Sequence, residues 1–192
     1  MADLQLFEKI TNDLVELKDT SEMMMDLAYS ALLLNSRELA EEVLMLEDHV
    51  DNLHTEFELL VLSGSADLEN TRGLLGLIRM GVVTERIADA ASEIAEVVLR
   101  SEELHPILGM VIQDAEETVE RVEVLHDSPL VGKSLKEARI PEETGMWVLV
   151  IRRGSRWIKP KPSLVIMVGD MIIASGYSEG EDDFKELIKG PN

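Results

Sequence analysis

Four carboxylates in the first half of the chain stand at a spacing that pairs them on helix faces. Glu47 and Asp51 are four residues apart, and so are Glu85 and Asp89. An i, i+4 offset makes two residues neighbours on one helical face, where like charges repel by about a few tenths of a kcal/mol, so a helix gains nothing from such pairs by itself. Two such helices side by side would present four carboxylates, an oxygen set suited to a divalent or ferric cation. The alternative is a solvated acidic face. One cluster of opposite sign lies far along the chain, at Arg152, Arg153, Arg156, Lys159 and Lys161. Its guanidinium forks match phosphate oxygens and suit a small anionic ligand. The same bases would also guard a strand edge, or face the acidic half of the chain. His49 and His54, five residues apart, project about 140° from a common helical face and form no shared ligand pair, so they read as isolated surface groups. There is no cysteine, hence no thiolate metal site, disulfide or thiol nucleophile. With no nucleophile–base pair, phosphate loop or metal-hydrolase motif, an enzyme is not expected.

The elements that must position these groups fall into two parts. Residues 1–117 hold 26 of the 38 acids but only 7 of the 18 bases, whereas all six prolines lie at or beyond residue 106. A boundary is therefore expected at 117/118, with an acidic domain 1–117 and a second domain 118–192. The acidic half argues against nucleic-acid binding, which needs positive charge against phosphates. No apolar stretch reaches the roughly 18–20 residues of a membrane span, and no signal segment is evident, so a cytoplasmic protein is expected.

The first part reads as an antiparallel bundle of three helices of about thirty residues. Phe7, Ile10, Leu14, Leu17 and Met24 mark one apolar stripe. Leu39, Val43, Leu46, Val50, Leu53, Phe57 and Leu60 mark a second, at 4-3-4-3-4-3 spacing. Asn35 with Glu38 reads as the N-cap of that second helix, and Ser63-Gly64 as its end. A third helix from about Glu69 to Arg100 is expected to bury Met80, Val83, Ile87, Ala91, Ile94 and Val98. On that stripe Glu85 and Asp89 would point away from the core. A short fourth helix is expected over about 106–119, and Met23–Met25 read as core fillers.

The second part reads β-α-β-β-β-α, a small α+β module. Its strands are expected at Val119–Leu125, Met146–Ile151, Arg156–Lys159 and Met171–Ala174. Ser134-Leu-Lys-Glu137 is a capping box opening a short helix that Pro141 closes, and Gly154-Ser155 is a hairpin turn. A last helix follows Ser178.

Four punctuated motifs carry a resemblance: Ser128-Pro-Leu-Val-Gly-Lys-Ser-Leu135, Gly145-Met-Trp-Val-Leu-Val-Ile-Arg-Arg-Gly154, Lys159-Pro-Lys-Pro162 and Val168-Gly-Asp-Met-Ile-Ile-Ala-Ser-Gly176. Residues 118–190 resemble the TrkA-C family, the C-terminal half of regulator-of-potassium-conductance (RCK) domains. The resemblance implies a ligand-sensing module that pairs with itself, binds small molecules (cyclic dinucleotides in some members) in the cleft between modules, and controls cation transport. No Gly-x-Gly-x-x-Gly follows a strand, so the nucleotide-binding half of full RCK proteins is not expected here. The string Glu85-Arg86-Ile87-x-Asp89-x-Ala91-x-x-Ile94-Ala95-Glu96 resembles the signature helix of the PhoU family. That resemblance implies a metal cluster on the acidic pairs. Full PhoU proteins have two three-helix repeats and this sequence has room for one, so a complete site would need a second subunit. The expected function is regulation of a potassium or other cation transporter or channel at the membrane, by a homodimer that senses a small anionic ligand. A PhoU-type phosphate-signalling adaptor with a metal-binding bundle is the alternative.

Overall fold

A computed structural model of the chain describes residues 2–64, 71–100, 106–113 and 117–190. The chain divides into two compact units, residues 1–32 with 36–100, and residues 101–192 with 33–35.

The first unit consists of α1 (Ala2–Leu33), α2 (Arg37–Ser63) and α3 (Thr71–Arg100). The expected starting residue Glu69 lies outside the described residues. Helix α2 starts one residue later than the sequence reading placed it. Asn35 takes a left-handed φ of 46°, which its short polar side chain tolerates. Ser36 is then the cap, its hydroxyl accepting the Leu39 N–H at 3.4 Å. Gly64 closes α2 as read. The α2 stripe is buried at Leu39, Val43, Val50, Leu53 and Phe57. In α1, Ile10, Leu17 and Met24 are buried, but Phe7 is half exposed.

Helix α3 departs from the expected stripe over its first half, whereas Ala91 and Val98 are buried as expected. Met80, Val83 and Ile87 are exposed, and the core side is Leu74, Gly81, Thr84, Ala88, Ala91, Ala95 and Val98. The reason is close helix approach. A Cβ at Gly81 would sit 2.8 Å from Cε1 of Phe57, so α2 and α3 touch where α3 offers no side chain. Small residues fill this seam, and the bulky apolar residues one position earlier are turned outward. The rotation also turns Glu85 and Asp89, expected to point away, into half-buried positions. Arg37 ties the end of the seam, donating to the Leu99 carbonyl at 2.8 Å.

The second unit contains α4 (Pro106–Gln113), β1 (Glu117–Glu123), α5 (Leu135–Ala138), α6 (Ile140–Thr144), β2 (Met146–Arg153), β3 (Arg156–Ile158), β4 (Met171–Tyr177), a 3₁₀ turn at Ser178–Gly180 and α7 (Glu181–Lys189). Residues 117 and 118, expected within the fourth helix, instead open β1, which takes in Val119 as expected. The sheet order is β1-β4-β2-β3, all neighbours antiparallel. The Ser134–Glu137 capping box forms as read. Pro141, however, does not close the helix. Arg139 takes a left-handed φ of 48°, and Pro141 sits in the first turn of α6, a position where its missing N–H and fixed φ are no handicap. Gly154, at φ 61°, makes the tight β2–β3 turn.

The continuous apolar run of β2 is explained by burial on both sheet faces. Ile151 and Ile172 pair across β2 and β4 within a core that includes Ile140, Ile166, Phe184 and Ile188. Their neighbours Val150 and Ile173 are also fully buried, and successive strand residues point to opposite faces. Helix α7 is pinned to β1 by Lys185, whose ammonium lies 2.7 Å from Glu120 and 3.5 Å from Glu181.

Candidate functional site

The α2/α3 seam gathers three of the four predicted carboxylates. One oxygen each from Asp51, Glu85 and Asp89 lies within 4.8 Å of the others. Glu47, one turn along α2 from Asp51, is half-buried. Burial pushes its carboxyl above the ordinary glutamate range, and the charges of Asp51, Asp89 and Asp48 add to the rise. The nearby Ser92 hydroxyl opposes it without a hydrogen bond of ordinary geometry. Three convergent carboxylates form a hard-oxygen set of the kind that holds Mg²⁺, Ca²⁺, Mn²⁺ or iron. The histidines stand apart from it. His49 is exposed, its Nε2 3.2 Å from Glu16. His54 is not the surface group expected from its spacing. Its side chain is 14% exposed, it packs beside Gly81, and its Nε2 is 3.6 Å from Glu58.

The basic hairpin does not form one patch. Arg153 pairs with Arg156 across β2 and β3, and Arg152 with Trp157. Strand alternation sends these two pairs to opposite faces. Arg152 lies over the Trp157 ring, 5.5 Å from its centroid. Arg153 is committed internally. Its Nε and Nη2 donate to the two oxygens of Asp170 at 2.7 and 2.8 Å, and Nη2 also reaches the Val165 carbonyl. Asp170 is fully buried and accepts the Met167 N–H as well, so this pair fixes the Met167–Asp170 turn. Arg156 is exposed and Lys159 half-buried.

A cleft of about 380 Å³ lies in the same module. Lys136, Glu142, Trp147, Pro160, Lys161 and Pro162 line it, together with Ile140 and Pro141. The volume falls in the range of small-molecule sites. Trp147 is 57% exposed and offers an aromatic face, while Lys136 and Lys161 outnumber the single acid, Glu142, in the lining. Of the predicted basic cluster, Lys161 reaches this cleft. The signal for the cleft was the Lys159-Pro-Lys-Pro162 run, whose ring-fixed backbone builds a stiff wall. Trp147 was hidden inside an apolar run that reads as buried strand.

A helical unit with a carboxylate seam is thus followed by a small antiparallel module with a cleft. Residues 14–98 match the PhoU domain family and residues 119–189 the TrkA-C domain family. The chain thus carries a PhoU domain followed by a TrkA-C domain. It is 30% identical over 99 residues to Potassium channel protein 1 of Methanocaldococcus jannaschii, covering 51% of this chain and 29% of that protein. It is 41% identical over 64 residues to Probable potassium channel protein 2 of the same organism, covering 33% and 19%. The chain therefore spans less than a third of the length of these curated relatives. Among solved structures, the RCK_C domain dimer of S. agalactiae BusR in complex with c-di-AMP is 28% identical, with a TM-score of 0.35, and covers 36% of this chain and 93% of that one. Among the described residues no helix is long and apolar enough to cross a membrane.

Proposed function

We propose that this chain is a regulator of potassium transport, with residues 118–192 sensing a small anionic ligand and residues 1–117 relaying or anchoring the response at a membrane transporter or channel on its cytoplasmic side. The observation that carries the reading is the TrkA-C match over 119–189, and the potassium-channel relatives support it. The ligand seat we favour is the Trp147 cleft, where an aromatic face stacks a base and Lys136 and Lys161 meet phosphate. Arg152, Arg156 and Lys159 extend positive charge along the hairpin. Arg153 serves the fold. Titration of the full chain with AMP, ATP, NAD and cyclic dinucleotides, followed by tryptophan fluorescence and calorimetry, tests the seat. Binding that weakens with salt and at least tenfold on Lys161→Ala supports it. Saturable binding unaffected by both Trp147→Phe and Lys161→Ala refutes the seat, and no binding by any of the panel refutes the sensing role assigned to it. Loss or gain of rubidium uptake when the chain is withheld from cells that express its genomic neighbour transporter tests the wider role.

A second reading rests on the acidic seam and the match over 14–98: a PhoU-type phosphate-signalling adaptor. In either reading Asp51, Glu85 and Asp89, with Glu47 beside them, are the proposed cation ligands. A bound cation would supply positive charge that ties α2 to α3.

A further inference from the structure

Helix α3 carries two apolar heptad stripes side by side. The inner one holds small residues against α2. The outer one is Met80, Val83, Ile87, Ala90, Ile94 and Val97, at 3-4-3-4-3 spacing, which is the seam of a coiled coil. No charge interrupts it. Met80, Val83, Ile87 and Val97 are 55%, 51%, 41% and 42% exposed. The stripe continues sideways into an apolar groove of about 330 Å³ between α1 and α3, walled by Phe7, Leu14, Val15, Leu77 and Met80. A continuous exposed apolar face on a chain of net charge −20 marks a contact surface.

We propose that this face binds a second copy of the chain through an antiparallel α3–α3 contact whose two-fold axis passes between Ile87 and Ala90. Two features of the sequence select this partner and this direction. Antiparallel heptad packing sets Ile87 of one copy against Ala90 of the other, Val83 against Ile94, and Met80 against Val97, so each layer joins a larger to a smaller side chain. The same register places the flanking Arg86 opposite Glu93 of the other copy, twice by symmetry. Both are exposed, and among the described residues neither has an ion-pair partner. A parallel pairing would set Arg86 on Arg86. At the seam's ends Arg79 meets Arg100, whose guanidinium is already paired with its own Glu96.

The absence of cysteine makes the register readable in the full chain. Ala90→Cys copies should be joined by a short bis-maleimide at micromolar concentration. Met80→Cys copies, separated by about 25 Å along antiparallel axes at 1.5 Å per residue, should not be, whereas Met80→Cys mixed with Val97→Cys should. Arg86→Glu should cut the Ala90→Cys yield several-fold, and adding Glu93→Arg should restore it. All these positions are at or near the surface, and circular dichroism confirms that each variant folds. Linking of Met80→Cys to itself as readily as Ala90→Cys overturns the antiparallel register. No linking at any stripe position overturns the interface, including when the protein is dimeric through its C-terminal module alone. Failure of the charge swap to restore linking overturns the pairing of Arg86 with Glu93.

Discussion

Arg153→Ala separates the structural arginine from the others in the hairpin, and the structure sets the size of the effect. The substitution leaves the fully buried Asp170 carboxylate with the Met167 N–H and removes two charge-assisted bonds of 2.7 and 2.8 Å together with the bond to the Val165 carbonyl. Deleting one partner of a buried pair costs about 3–5 kcal/mol. Because 30% of the Arg153 side chain is exposed, water can enter the vacated space, and a discounted loss of about 2–3 kcal/mol is expected. The assay is urea unfolding of the full chain followed by tryptophan emission. Both tryptophans, at 147 and 157, lie in the second unit, so the signal reports that unit. With a slope of about 1–3 kcal/mol per molar urea, the midpoint should fall by roughly 1–2 M. Arg152→Ala, which leaves no buried charge unpaired, should cost less than Arg153→Ala. Replacing both Arg153 and Asp170 by Ala should give a protein more stable than Arg153→Ala alone, since no buried charge is then left unpaired. Equal losses from Arg152→Ala and Arg153→Ala, or a double variant less stable than the single, would refute the reasoning.

Replacing Glu85 and Asp89 by Ala should abolish any cation retained on purification without chelator and any rise in melting temperature on adding Mn²⁺ or Fe³⁺; elemental analysis and thermal melts check both. Gly81→Ala should destabilise the bundle by about 1–3 kcal/mol through overpacking against Phe57. Gly76→Ala, whose Cβ would meet nothing within 4 Å, should stabilise α3 by up to about 1 kcal/mol; helix-reported urea melts compare the two. Asp13 is 9% exposed, and one of its oxygens has no hydrogen-bond partner among the described residues. Burial raises its carboxyl above the ordinary range, opposed by Lys9 and aided by Glu16 and Glu56. A raised folded value means that its contribution to stability is present below the ordinary aspartate range and is lost as pH rises through the folded value. Asp13→Asn should therefore stabilise the bundle at neutral pH and flatten the gain seen on acidification, measured as melting temperature from pH 7 towards 4.5 in chelator.

The parts of the fold legible in the sequence are those fixed by local chemistry. The Ser134–Glu137 box, the Gly154 turn and the Gly64 stop each depend on neighbours a few residues away, and each forms as read. Pro141 was legible only as a punctuation mark. A proline stops one helix and starts another with the same ring, and the left-handed Arg139 that decides between them carries no sequence signal. Adjacent bases in a strand are a different case. Arg152 and Arg153 must face opposite ways once β2 is accepted, so the split of the basic cluster follows from period two. The buried Asp170 that claims Arg153, however, is 17 residues distant. Helix α3 misleads for a physical reason: both its stripes are apolar, and hydrophobic periodicity selects the bulkier one, whereas close packing selects the smaller.

That choice of the smaller stripe also bears on the acidic seam. With Met80, Val83 and Ile87 turned inward, α3 would stand off from α2, and Glu85 and Asp89 would face water on the far side. With Gly81, Ala88 and Ala91 inward, the helices close and rotate, and Asp51, Glu85 and Asp89 converge to within 4.8 Å. At that separation the exposed Asp51 of α2 adds a repulsion of up to about 1 kcal/mol against each of Glu85 and Asp89 of α3, beyond the few tenths of a kcal/mol of the Glu85–Asp89 pair within α3. Close packing and charge are therefore opposed at the same turns of the same two helices. A merely solvated acidic face has no such conflict, because its side chains spread into water. The two accounts differ in sign for one substitution: removing Glu85 relieves repulsion and stabilises the bundle in chelator, but costs stability in excess cation if the seam is a cation site. An effect of the same sign and size in both conditions, or none in either, belongs to the solvated face alone.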